Sequence, residues 1–159
     1  MTSNESSLSE KVQASFRELT TAAKNLNQVS DELSQTISFL DAVLQKLNLG
    51  VSAWVPVTGD EDPNGHYWSR DIGYAKVENH WGIALRNIHG SHDDPDGEVT
   101  TDDLWLFNDA PRWLRAEGVA HIPALFEKLT RLADDTAKRI QKSSKEAKEL
   151  AGAIKAAHK

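Results

Sequence analysis

From about Leu8 to Leu47 apolar side chains return every seven positions, with Val12, Leu19, Leu26, Leu33, Leu40 and Leu47 forming one column. Phe16, Ala23, Ser30, Ile37 and Leu44 fill the complementary column, so Ser30 alone puts a polar side chain in the seam. Such a repeat predicts a long helix whose apolar stripe seats on other helices, as in a coiled coil. Neither glycine nor proline interrupts the segment, and Gly50 then supplies a stop. Ala22, Val29 and Val43 widen the stripe on one flank, while Thr20, Asn27 and Ser34 leave the other flank uncharged. Two-stranded coiled coils are usually specified by charge pairs on those flanks, so this pattern favours a bundle of more than two helices.

A second periodic segment closes the chain. Phe126, Ala133, Ile140, Ala147 and Ile154 make one column, and Ile122, Leu129, Thr136, Ser143, Leu150 and Ala157 the other. Thr136 and Ser143 dilute its middle as Ser30 dilutes the first, which suits helices that run antiparallel with facing polar layers. A hairpin of two helices cannot cover both stripes, so copies of the chain are expected to meet as a homo-oligomeric helical bundle, a dimer or higher.

Between the helices the pattern changes to period two. All five tryptophans and both tyrosines lie between Trp54 and Trp113. Val51–Val57 reads as a strand with Pro56 pushing it to a sheet edge, and 66–77 with 81–89 as a hairpin turning at Glu78, Asn79 and His80. Leu104–Phe107 completes a four-stranded antiparallel meander. Asp109 is the expected N-cap of a short helix with Pro111 in its first turn, interrupted at Gly118 before the long helix resumes near His121. The fold class is therefore α+β in one domain over residues 1–159: a helix at 8–48, an aromatic-rich β insert at 50–108 and a helical segment at 110–157.

Alternation puts Trp81, Ile83 and Leu85 on one face of the third strand and Gly82, Ala84, Arg86 and Ile88 on the other. In the second strand Ile72, Tyr74 and Lys76 oppose Gly73, Ala75 and Val77, so one face is bulky and the other admits a close neighbour. Arg86, on the small-residue face, is expected to form a structural ion pair near a helix.

Composition narrows the function classes. The formal charge of −6 is uneven: residues 49–110 carry twelve acids against Arg70, Lys76 and Arg86, whereas residues 111–159 carry eleven bases against six acids. Opposed segments of this kind attract within or between chains. Arg131, Lys138 and Lys145 make a basic stripe on the last helix, but Asp134, Asp135, Glu146 and Glu149 break it and no aromatic stacks beside it. A solvated helix face is the reading, with neither nucleic acid nor membrane as partner. The chain has no cysteine and no apolar run long enough to span a bilayer, which fits a cytoplasmic protein.

Candidate chemistry is sparse. Asp60, Asp62, Asn64 and Gly65 with Asp71 have the oxygen spacing of a calcium loop, against which stand Pro63 and the flanking strand patterns. His89, His92, Asp93, Asp94 and Asp96, on a loop with Pro95, could ligate a metal for hydrolysis. Phosphate-loop, nucleophile-elbow and metalloprotease motifs are absent, so no catalysis and no cofactor are expected. The remaining set is Trp68, Arg70, Tyr74, Trp81, Arg86 and His89, residue types that stack on heteroaromatic rings and pair with anions, although alternation keeps them from sharing one face. The leading expectation is a non-enzymatic homo-oligomer that sequesters a small anionic, nucleotide-like ligand at its hairpin and oligomer seam. A coiled-coil scaffold that docks a protein through the aromatic insert is the alternative, and a metal-dependent hydrolase on the His89–Asp96 loop is a second.

Overall fold

The computed structural model describes residues 2–94 and 96–158. Its elements follow the expected order: helix α1 (Thr2–Leu47), strands β1 (Ala53–Glu61), β2 (His66–Val77), β3 (His80–Ser91) and β4 (Thr100–Leu106), a 3₁₀ turn at Phe107–Asp109, helix α2 (Arg112–Gly118), a second 3₁₀ turn at Val119–His121, and helix α3 (Ile122–Ala157). The α+β class, the long terminal helices and the antiparallel four-stranded sheet in the order β1-β2-β3-β4 are as the pattern predicts. Among the described residues no helix is long and apolar enough to cross a membrane.

Two compact units divide the chain, Met1–Leu40 and Asp41–Lys159, with the boundary inside α1. The first unit is helix throughout its described length. Its N-terminal seam side chains are open, with Val12, Phe16, Leu19 and Leu26 and the flanking Leu8 and Val29 between 46% and 67% exposed, whereas Ile37 is buried at 1%. A helix of 46 residues is about 70 Å long at ~1.5 Å rise per residue. It ends where Asn48 and Gly50 take left-handed conformations at φ 51° and 64°.

In the second unit, β2 and β3 pair without a slip from His66–Ser91 to Val77–His80, turning at Glu78 and Asn79 with positive φ at both. That is the backbone twist a two-residue hairpin needs. Ile72, Ile83, Leu85, Phe107, Leu114 and Leu125 are the fully buried centre. A Cβ placed on Gly118 would lie 3.2 Å from Leu85 Cδ2 and 3.4 Å from Ile72 Cδ1, so α2 rests on the bulky face of the hairpin. The small-residue face has other cover. A Cβ on Gly73 would fall 2.4 Å from the Trp54 ring, so glycine is required for that tryptophan to lie flat on the sheet.

Two local expectations are corrected. Asp109 belongs to the 3₁₀ turn and does not cap α2; Pro111 occupies the N-cap position with no side-chain hydrogen bond. Proline fixes φ near the value a helix entry needs, so the chain starts α2 without a cap side chain. Phe107 lies beyond β4, turned into the core at 1% exposure.

Candidate functional site

Five of the six candidate residues share the bulky face of the hairpin. The direct pairs Trp68–His89, Arg70–Asn87, Ile72–Leu85, Tyr74–Ile83 and Lys76–Trp81 put Trp68, Arg70, Tyr74, Trp81 and His89 on one side of the sheet. Arg86 is paired with Asp71 and lies on the other side. Trp68, Arg70 and His89 collect at one end of that face and Tyr74 with Trp81 at the opposite end, four residues or about 13 Å of strand away from Arg70.

At the first end the Arg70 guanidinium lies 4.7 Å from the centre of the Trp68 ring and 4.7 Å from that of Trp113. Trp113, supplied by α2, was not singled out by the sequence, since period-two alternation in a strand carries no information about a helix forty residues on. Trp68 and Trp113 remain 41% and 48% exposed. His89 Nδ1 is 2.7 Å from Asp102 Oδ2 on the neighbouring strand, so its charge, when protonated, has a partner. Beside Trp68 and His89 a groove of about 300 Å³ is lined also by Asp60, Glu61, Asp62 and His66. Three carboxylates around one groove repel an anion.

At the second end Tyr74 stacks on Trp81 with centroids 5.4 Å apart and is 2% exposed, so its ring is a core element. Here the last turns of α1 complete the sheet. β4 pairs with β3 from Ala84 to His89, leaving Ile83 and Trp81 without strand partners on that edge. Asp41 Oδ1 accepts from the Ile83 N–H at 2.7 Å, and Gln45 Nε2 donates to the Trp81 carbonyl at 2.9 Å. Residues four apart on a helix stand above one another, so an acceptor and a donor stand in for the missing strand. A groove of about 270 Å³ opens there against Asn48, Asn79 and His80.

Burial raises the Asp41 carboxyl above its ordinary value of 3.8, against the opposing pull of the Ile83 N–H. Tyr74 is raised by burial and by the Asp41 charge. A carboxyl raised in the folded state binds its proton more tightly there than when unfolded, so its contribution to stability falls as pH rises from 3.8 through the raised value and recovers in acid. Asp41→Asn, which keeps an acceptor for Ile83 without the buried charge, is expected to flatten that part of the stability profile. Asp41→Ala orphans the N–H and is expected to cost about 1–3 kcal/mol at neutral pH, read by urea unfolding.

On the small-residue face Arg86 Nε donates to Asp71 Oδ2 at 2.8 Å and the guanidinium lies 4.1 Å from the Trp54 ring centre. The expected structural ion pair is present, on the face where alternation places Arg86. Asp71 also accepts from the Ser69 hydroxyl. The calcium-loop spacing is corrected by the same contacts: Asp71 is in the middle of β2, committed to Arg86, while Asp62 takes the Asn64 and His66 N–H groups in the tight turn joining β1 to β2. Among the described residues no three His, Asp or Glu side chains converge as a metal centre. In the His89–Asp96 loop, His92 stacks on Tyr67 at 4.7 Å and reaches Glu61 at 3.5 Å, Asp94 accepts from the Asp96 N–H, and Pro95 lies outside the described residues.

No protein-family description, curated protein or solved structure matches this chain.

Proposed function

We propose that this protein is a non-enzymatic, self-associating scaffold whose helices gather copies of the chain and whose sheet unit presents the Trp68–Arg70–Trp113 surface to a protein partner. The observation that carries the reading is the open N-terminal part of the α1 stripe, where Val12, Phe16, Leu19 and Leu26 of the two heptad columns and the flanking Leu8 and Val29 stand 46–67% exposed. Monomeric soluble proteins rarely expose a contiguous apolar stripe of this size. The far half of α3 has the same character, with Ile140, Leu150 and Ile154 at 62%, 67% and 68% exposure. Tryptophan and arginine are the side chains most enriched at energetically dominant interface positions, and here an arginine holds two exposed tryptophans in place.

Sequestration of a small anion has less support. Arg86 is neutralised by Asp71, Tyr74 is buried, and the groove beside Trp68 and His89 is acidic. Arg70 is the cation left on the bulky face near it.

Sedimentation equilibrium of the intact protein tests the scaffold. The wild type is expected to be a dimer or larger at micromolar concentration. Leu19→Asp with Leu26→Asp, which puts two charges into the seam, is expected to weaken association about 100-fold or more. Tryptophan fluorescence should not move, because every tryptophan lies outside α1. A wild type that stays monomeric at high concentration would refute self-association.

A further inference from the structure

We infer that the groove at the open end of β3 binds one ring of a saccharide, an uncharged and hydroxyl-rich ligand. The inference concerns the sheet unit alone and stands apart from self-association.

The groove is assembled from segments distant in sequence. The end of α1 brings Gln45 and Asn48, the β2–β3 turn brings Asn79, β3 brings His80 and Trp81, and β2 brings Tyr74. Its volume of about 270 Å³ is close to the ~300 Å³ at which small-molecule sites begin, so it takes a single ring. No Asp, Glu, Lys or Arg is among the lining residues. A charged ligand would lose hydration there without gaining a counter-charge, which selects for a neutral one.

The lining both donates and accepts. A carboxamide carries two donors and two acceptor lone pairs, and a neutral imidazole carries one donor and one acceptor. Gln45 gives its Nε2 to the Trp81 carbonyl and keeps its Oε1. The side chains of Asn48, Asn79 and His80 make no hydrogen bond among the described residues. The Tyr74 hydroxyl donates to no acceptor among them either, although Tyr74 is 2% exposed. A buried donor left unmet is costly, and burial together with the Asp41 charge keeps the phenol proton in place. Hydroxyl groups match such a lining because each of them also donates and accepts, and a pyranose displays several around one ring. The Trp81 ring, steadied by its stack on Tyr74 at 5.4 Å, supplies the apolar wall for the C–H face of the sugar. A nucleobase gains most from open aromatic faces, and one face of Trp81 is already taken by Tyr74.

Two of the carboxamides are held ready by the backbone. Asn48 and Asn79 take left-handed conformations, φ 51° and 69°, in tight turns at the two sides of the groove. Groups fixed before binding are not ordered at the ligand's expense. Glycine adopts that backbone without strain, as Gly50 does at φ 64°, so neither turn requires the carboxamide that its residue carries.

That difference supplies the test. The full-length protein is titrated with the methyl glycosides of glucose, galactose, mannose and N-acetylglucosamine, and separately with adenosine, while the Trp81 indole N–H and the Asn48 and Asn79 carboxamides are followed by nuclear magnetic resonance. At least one glycoside is expected to shift all three sets saturably, with a Kd on the order of millimolar. Asn48→Gly with Asn79→Gly, which keeps both turns, is expected to weaken that binding about tenfold or more, with the melting temperature reporting that the sheet unit is folded. Tyr74→Phe, which removes the hydroxyl and leaves the ring in place, is expected to weaken it about threefold to tenfold, and it decides the matter alone if the glycine variant does not fold. The inference is overturned if no glycoside moves these resonances, if adenosine moves them and the glycosides do not, or if the folded variants bind as the wild type does.

Discussion

Phe107→Ala is expected to cost about 3–5 kcal/mol and to lower the melting temperature by roughly 10 °C or more. Phe107 is 1% exposed, its Cε2 is 3.8 Å from the point where a Cβ on Gly118 would stand, and that point also touches Leu85 and Ile72. Strand β4, the turn into α2 and the bulky face of the hairpin thus meet around one ring. Deleting it removes the transfer free energy of an aromatic side chain and leaves a void that glycine at 118 cannot fill. Phe107→Leu, which retains most of the volume, should cost no more than about 1.5 kcal/mol. Thermal unfolding followed by near-ultraviolet circular dichroism distinguishes the two. Equal losses for Leu and Ala would mean that ring shape, and not volume, holds the junction. Little loss for either would displace Phe107 from the core.

The second large effect is expected at Asp71. Its carboxylate is 5% exposed and accepts both from Arg86 and from Ser69, while the Arg86 side chain is 24% exposed and lies over Trp54. Asp71→Ala leaves a half-buried guanidinium with only a ring face for company, and is expected to cost about 2–4 kcal/mol. Replacing both partners, as Asp71→Ala with Arg86→Met, should recover at least about 1 kcal/mol of that loss, because the desolvated charge disappears with its partner. Denaturant midpoints of the two single variants and the double close the cycle. Purely additive losses would show that the pair contributes nothing specific. A surface ion pair would give under ~1 kcal/mol, so the magnitude also tests the burial.

These two sites also show what could be read from the chain. Alternation put Arg86 on the small-residue face, but its partner did not follow: a turn at Glu78, Asn79 and His80 would set Asp71 opposite Asn87, and only the two-residue turn at Glu78 and Asn79, with His80 already in β3, sets Asp71 opposite Arg86. The role of Phe107 did not follow. It reads as the last residue of a strand, and only the turn that carries the chain from β4 to α2 swings its ring inward. Trp113 is similar. Nothing near it in sequence indicates Arg70, which reaches it because α2 is laid across the sheet.

The two long helices, the meander and the widened heptad stripe were determined by the sequence itself, because each depends on the side chains of one segment and the period of its own backbone. Which candidates meet was decided by the tertiary structure. Arg86 went to Asp71, Tyr74 went into the core beside Trp81, Arg70 gained a second tryptophan from α2, and Asp41 and Gln45 took the place of a missing strand. Each of those outcomes depends on how elements distant in sequence pack over a shared surface, and a periodic pattern specifies which face a residue occupies without specifying what will cover it.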